Sequence, residues 1–409
     1  MLSVLKNRDF FWLWLGQAIS QVGDGIRDFA MIYWVFNTSG HSPVIQSLSF
    51  IVVIVPQVVL APIAGVWVDR WDRRRTMVIA DLVRGGLSLA LIAASVAGQY
   101  WYALGLTFLA SCVAQFFNPA RGAMIPRVVG REHLLQANAL SQTTSALLQV
   151  AGPALGTTVY LYLGARSSFL VDAFSFFASA LCIALVAVSG AVAAAPGRPN
   201  FLSEMKSGLA FVWRTTPVRA SWLGIFTMMF GAGAINALTI FVIRMELKLP
   251  EETFGYVMSV QPMATLAAAM VVGGMAKRIR RVPLLIPLGL LLGALGIGAI
   301  AAALNIGWLL VGSVLVGLCN AVLNIGLSMV MQTCVPDEIR GRVLGSAYAI
   351  PMAGMVLSAG LAGYLAQSIN PRLILGGADI FLLLGAVVAF AGLRTVVLPT
   401  PQGAAKSAT

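Results

Sequence analysis

Apolar stretches of about 20 residues recur along almost the whole of this 409-residue chain, and they leave little choice of fold. Each is long enough to cross a hydrocarbon core roughly 30 Å thick as a helix that satisfies its own backbone hydrogen bonds. Charged residues make up 10% of the chain, against roughly 25% in ordinary soluble domains, so a water-soluble fold is excluded. A β-barrel would alternate over short segments, whereas Leu285 to Ala303 is apolar on every helical face. The sequence therefore predicts an all-α polytopic membrane protein.

Charged, Pro and Gly-rich breaks divide the chain into spans near 10–36, 44–68, 76–98, 100–124, 138–163 and 167–189, then 217–243, 254–276, 282–304, 307–332, 343–366 and 372–397. The first run carries Asp24, Arg27 and Asp28 and is too long for a cleavable signal peptide, so it reads as the first span. Lys and Arg gather in cytoplasmic loops, and 21 of the 27 fall in the loops on the N-terminal side of this partition. Both termini are then cytoplasmic, which requires an even number of spans. The net charge of +12 is explained by topology, so no nucleic-acid partner is expected. Cys112, Cys182, Cys319 and Cys334 lack metal-ligand or CxxC spacing and read as small buried hydrophobes.

The chain also repeats at about half its length. Gly65-x3-Asp69-Arg70-x2-Arg73 is echoed by Gly273-x3-Lys277-Arg278-x2-Arg281, Arg166 and Asp172 by Arg372 and Asp379, and Pro126 by Pro336. The expected organisation is an N-terminal six-helix bundle (1–190), a cytoplasmic linker (191–216), a C-terminal six-helix bundle (217–398) and a cytoplasmic tail (399–409). Within the linker, Phe201, Leu202, Met205, Leu209, Val212 and Trp213 share helical spacing, as in an amphipathic helix lying on the inner membrane face.

Gly65-Val-Trp-Val-Asp69-Arg70-Trp-Asp72-Arg73-Arg74-Arg75 resembles the loop signature of the major facilitator superfamily and sits where that family places it. Gly152-Pro153-x2-Gly156 resembles the family's antiporter motif, with Leu148 and Thr157 where glycine is usual. Three further segments resemble the drug-efflux branch that includes macrolide efflux proteins and the enterobactin exporter. They are Gln17-x2-Ser20-x2-Gly23-Asp24, Asn118-Pro119-Ala120-Arg121-x4-Pro126 and Phe169-Leu-Val-Asp172-Ala-Phe-Ser-Phe176. The resemblance implies two pseudo-symmetric six-helix bundles, a cavity opening alternately to each side, and proton-coupled efflux without any cofactor. The Arg-x2-Gln-Gly motif of many proton antiporters is absent from the fourth span.

Charge in hydrocarbon is expensive, so Asp24, Arg27 and Asp28 must face the bundle interior or water. Their spacing puts them on one helical face. They read either as a proton-coupling site, with Asp24 singled out by the resemblance, or as a permanent ion pair that locks the first helix to its neighbours. Asp81 and Arg84 are expected near the inner interface, clasping the basic loop. Asp172 and Asp379 are expected to share a structural role, pairing with Arg166 and Arg372. In the loop signature, Gly65 would allow close helix approach, while Asp69 would bond amides at a neighbouring helix N-terminus; the resemblance implies that this partner is the eleventh span, beginning near Val343. Together with Arg70, Arg73 and Arg74 they would hold the cytoplasmic side closed. Gly152, Pro153 and Gly156 would kink the fifth helix and pack it tightly. Gln115, Gln149, Phe226, Phe230, Asn236, Gln261, Asn320 and Asn324 are the candidate cavity residues; each alone reads more simply as an interhelical bond or packing contact. Their amide and aromatic character points to a large amphipathic substrate.

The expected function is a secondary-active exporter of a drug-like, macrolide-like or siderophore-like molecule. Its partners would be substrate, proton and lipid bilayer, and it would act as a monomer in the bacterial cytoplasmic membrane. Lipid or lysophospholipid flipping without proton coupling is the alternative. A membrane-embedded enzyme is disfavoured: no metal is expected, HExxH and GxSxG are absent, and the two histidines, His41 and His133, lie in loops.

Overall fold

A computed structural model describes residues 2–188, 201–275 and 282–394. The linker stretch 191–199, the second basic loop with Lys277, Arg278 and Arg281, and the tail 399–409 lie outside the described residues. The elements are α1 (Arg8–Thr38), α2 (Pro43–Val59), α3 (Ala61–Val68), α4 (Arg73–Val96), α5 (Tyr100–Ala184), α6 (Phe201–Arg214), α7 (Thr216–Phe241), α8 (Glu252–Met275), α9 (Leu285–Ala301), α10 (Ile306–Cys334), α11 (Asp337–Leu365) and α12 (Pro371–Leu393). No strand occurs among the described residues.

Helices and predicted spans do not correspond one to one. The second predicted span is divided at Leu60, because Pro62 at the start of α3 has no N–H to continue the helical ladder. Conversely, α5 joins three predicted spans in 85 residues, interrupted only at Gly130 (φ 71°, ψ 170°) and Gly164 (φ 77°, ψ 174°). The loop expected between 124 and 138 is thus almost wholly helical. Among the described residues, six helices are long and apolar enough to cross a membrane, α5 among them, and Pro43–Val59, Leu285–Ala301 and Ala349–Leu365 are shorter apolar helices.

Exposed apolar side chains recur at helical spacing, as with Leu288, Leu291 and Leu295 on α9 and Ile380, Leu384 and Val387 on α12. Water penalises such contiguous surface; acyl chains do not. The chain is a multi-pass membrane protein.

The chain forms two compact units, Met1–Gly197 with Pro250–Ser259, and Arg198–Leu249 with Val260–Thr409. In the first, α1 and α4 pack on α5, and α1 begins with Asn7, whose side chain accepts from Phe10 N. Asp9 holds the chain just after α5 by accepting from Ala187 N at 2.8 Å and Val188 N at 3.2 Å. Segment Pro250–Ser259 docks on this unit through Tyr33, whose hydroxyl donates to Glu251 O at 2.8 Å and accepts from Gly255 N at 3.2 Å. In the second unit α7 packs on α11 and α12, and α9 on α10 and α12. Here α6 packs against α11 and α7; it has the predicted helical character, with Val212 buried and Trp213 exposed.

Candidate functional site

The first unit places six charged side chains from three helices in one network. Arg27 Nη2 lies 2.8 Å from both Asp24 Oδ1 and Asp28 Oδ1, so the α1 triad expected from spacing is formed. Arg84 on α4 donates to both oxygens of Asp24, at 2.9 and 3.0 Å, and its guanidinium lies 4.0 Å above the Phe176 ring. Asp81, one turn earlier on α4, is 3.6 Å from Arg84 Nη1 and accepts from Ser179 Oγ at 2.6 Å. Asp172 on the last stretch of α5 accepts from Ser88 Oγ at 2.5 Å and lies 3.4 Å from Arg27 Nη1.

Helical periodicity builds each wall. On α4, Asp81, Arg84 and Ser88 fall on one face; on α5, Asp172, Ser175, Phe176 and Ser179 do the same. The two faces close on α1 because α1 carries glycine where they meet it. A Cβ at Gly23 would overlap Ser175, and one at Gly16 would lie 3.1 Å from Cys182 Cβ. Burial is graded across the network: Asp81 and Asp172 side chains are fully buried, Asp24 is 26% exposed and Asp28 47% exposed.

Two expectations are corrected here. Asp81 and Arg84 do not clasp the basic loop at an interface. Since α4 starts at Arg73 rather than 76, they lie in its third turn, both buried. Asp172 pairs with Arg27 and Ser88, not with the exposed Arg166, because the buried face of α5 carries it toward α1 and α4. Nor does Arg372 serve Asp379: it pairs with Glu246 at 3.8 Å, while Asp379 lies beside Gly298 of α9. The repeated Asp therefore has different surroundings in the two halves.

Gly152, Pro153 and Gly156 sit on α5 against α1. Gly25 faces Gly152, and a Cβ on Gly156 would meet Gly25 O and Phe29 Cβ at 2.8 Å. Tight packing thus occurs within one turn of Asp24, Arg27 and Asp28. The loop signature behaves differently. Among the described residues a Cβ at Gly65 would meet nothing within 4 Å. Asp69 and Arg70 are exposed, Asp72 caps α4 by accepting from Arg75 N at 2.8 Å, Arg74 donates to Ala184 O, and Arg73 is half-buried. The helix expected near Val343 begins earlier, at Asp337, where Pro336 ends the preceding segment and Asp337 and Glu338 suit a helix N-terminus. Gly65→Ala should leave thermal stability within about 0.5 kcal/mol of wild type while slowing transport, if close approach belongs to another state; melting and flux measured on one preparation check this.

Four of the six amide cavity candidates bond within their own helices rather than between helices. Gln115 donates to Ser111 O, Asn236 to Ala232 O, Asn320 to Val316 O and Asn324 to Asn320 O, each one turn back, where the carbonyl is the nearest acceptor. Gln115 is buried, Gln149 is exposed, and Gln261 lies where α8 passes Gly317 of α10. Phe226 and Phe230 continue an aromatic row from Trp222 and meet Phe381, with Phe230 and Phe381 centroids 4.8 Å apart. Sequence reading missed Phe381, although the spacing of 222, 226 and 230 marks the row. It also missed Ser88 and Ser179, whose signal is their position one or two turns from an intramembrane Asp. Phe230 and Phe381 line a cleft of about 420 Å³ between α7, α11 and α12, apolar apart from Ser358.

Fold and site together define a multi-pass helical membrane protein with a buried ionic network in its N-terminal unit. The chain matches the family described as transmembrane secretion effector, one of the major facilitator families, over residues 1–405. It is 25% identical to the MFS-type transporter YfiS of Bacillus subtilis over 400 residues, covering 96% of this chain and 93% of that one. To the multidrug efflux pump Tap of Mycolicibacterium fortuitum it is 28% identical, covering 88% of this chain and 92% of that one. A crystal structure of a bacterial homologue of the iron transporter ferroportin shares the fold, with TM-score 0.77 at 15% identity, over 94% of this chain and 98% of that chain. The chain belongs to the major facilitator superfamily, within its transmembrane secretion effector family, and is a membrane transporter rather than an enzyme.

Proposed function

We propose that this transporter exports an amphipathic small molecule from a bacterial cell by proton antiport, with the network around Asp24, Arg27 and Asp28 as its coupling centre. The carrying observation is that both arginines converge on Asp24, the carboxylate that also keeps partial contact with water. Asp24 ties the two guanidiniums together, so a change of charge elsewhere in the network can be felt on α1 and α4 together. Efflux is supported by likeness to a multidrug efflux pump and, over 56% of this chain, to macrolide efflux protein A of Streptococcus pyogenes.

In this reading twelve spans form two six-helix halves, near 1–190 and 217–398, joined by the linker 191–216, with both termini and the tail cytoplasmic. The protein works as a monomer in the inner membrane, alternating access to a cavity near the midplane. Gly65, Asp69, Arg70, Arg73 and Arg74 gate its cytoplasmic side. Gly152, Pro153 and Gly156 set α5 against the coupling helix. Phe226 and Phe230 offer ring faces to the substrate, and Asn320 and Asn324, each of which donates one N–H within α10, offer their amide oxygens and remaining N–H.

The test is erythromycin and ethidium transport in proteoliposomes, with and without a pH gradient. Asp24→Asn is expected to lose gradient-driven accumulation while keeping exchange down a concentration gradient; unchanged driven transport would remove Asp24 from the mechanism. A second reading, lipid translocation without protons, is favoured by the apolar cleft at Phe230 and Phe381. It predicts movement of a fluorescent lysophospholipid that persists when the gradient is collapsed.

A further inference from the structure

The coupling centre contains more carboxylates than its arginines can balance. Asp28 stands apart as the most exposed of the four carboxylates, with 47% of its side chain exposed. Asp24, Asp81 and Asp172 then share two guanidiniums, Arg27 and Arg84, leaving one carboxylate in excess inside the protein. A buried charge without a partner is costly, and the simplest neutraliser is a proton.

The geometry separates the three. Asp24 is contacted by both arginines at 2.8 to 3.0 Å. Asp81 has the Ser179 hydroxyl on Oδ2 and Arg84, on its own helix, 3.6 Å from Oδ1, an oxygen that is likewise buried without a hydrogen-bond partner. Asp172 depends on an arginine from another helix that lies nearer to two other carboxylates, Arg27 being 2.8 Å from both Asp24 and Asp28. Asp172 Oδ2 accepts from Ser88 and meets only the far nitrogen of Arg27, at 3.4 Å, while its fully buried Oδ1 has no hydrogen-bond partner. That bare oxygen faces α1 at Gly23, where a Cβ would stand 3.0 Å from it. The charged groups facing Asp172 are Arg27 and Asp24 on α1 and Arg84 on α4; the polar ones are Ser88 on α4 and Ser175 on its own helix, whose hydroxyl is turned to Asp172 O.

We infer that Asp172 carries the exchanged proton of this centre, on the oxygen facing Gly23, while Asp24 stays ionised between the two arginines as the pivot. The step is a plain protonation: one proton adds to the Asp172 carboxylate, its attraction for Arg27 falls, and Arg27 is left to Asp24 and Asp28. Loss of the proton draws Arg27 back toward α5. Asp28 and Asp24, the exposed members, are the side from which water delivers the proton. The inference rests on the proton-antiport reading and adds which group holds the proton.

The experiment needs no known substrate. Full-length protein in lipid vesicles is titrated by infrared difference spectroscopy, reading the carbonyl stretch of a protonated carboxylic acid. Wild type should show one buried carboxylic-acid band that is lost at every pH in Asp172→Asn, still present but formed only at lower pH in Asp24→Asn and Asp81→Asn, where the excess carboxylate is gone, and moved to a new frequency in Ser88→Ala, which keeps the acid but removes its hydroxyl partner. Retention of the band in Asp172→Asn overturns the inference, as does its loss only in Asp81→Asn or Asp24→Asn. If Asp172→Asn does not fold, the Ser88→Ala shift decides, and an unmoved band overturns the assignment. Ethidium flux in the same vesicles separates the two levels: gradient-insensitive wild type removes the antiport reading and this inference with it. Gradient-driven wild type with an equally driven Asp172→Asn removes the inference alone, and the expected result is at least a tenfold loss of driven flux in Asp172→Asn with recovery in Asp172→Glu.

Discussion

Arg84→Met should cost about 3–5 kcal/mol of stability, the usual effect of removing one partner from a buried ion pair. Methionine keeps an apolar body over the Phe176 ring, yet Asp81 loses its guanidinium and Asp24 loses two of its hydrogen bonds. The penalty comes from carboxylates left unbalanced where water cannot reach, so it should shrink when one is removed as well. Arg84→Met combined with Asp81→Asn is expected to recover most of the lost melting temperature. Thermal unfolding of the purified protein in detergent measures both variants. A single variant as stable as wild type would mean that the network is hydrated, and the charge argument for this site would fall.

Gly156→Leu should cost less stability but more transport, for a different reason. The first carbon of the new side chain would already press on Gly25 O, Phe29 Cβ and the Ile26 Cα, two of which are backbone positions that cannot rotate away. Overpacking of a tight contact typically costs about 1–3 kcal/mol, and here α1 must shift as a unit, displacing Asp24 and Arg27 from Arg84 and Asp172. Transport should therefore fall further than stability does. Flux normalised to folded protein, compared with Gly65→Ala, distinguishes this from general damage; normal flux in Gly156→Leu would show that α1 tolerates displacement.

The helical membrane fold was legible because hydropathy acts locally: a run such as Leu285 to Ala303 announces a buried or lipid-facing helix whatever surrounds it. The α1 triad was legible for the same reason, since Asp24, Arg27 and Asp28 lie within five residues and helix geometry alone unites them. The rest of the site depends on partners far away in sequence. Nothing near Asp172 reveals Arg27, 145 residues earlier, and a three-residue error in the start of α4 was enough to move Asp81 and Arg84 from the interior to an interface. Symmetry misled in one place, since Asp172 and Asp379 match in the repeat but face different neighbours. Glycines were legible as a class and not by role: Gly23 and Gly156 make close contacts, and among the described residues Gly65 makes none.

Gly130 and Gly164 have positive φ with extended ψ, a backbone state that essentially only glycine holds, and neither is short of space. Each joint is one residue long, so the three stretches of α5 have no slack between them. Any tilt of the stretch bearing Gly152 and Gly156 is passed directly to the stretch bearing Asp172. A push on α1 at Gly25 and a change of charge beside Arg27 therefore act on the same piece of chain, from its two ends.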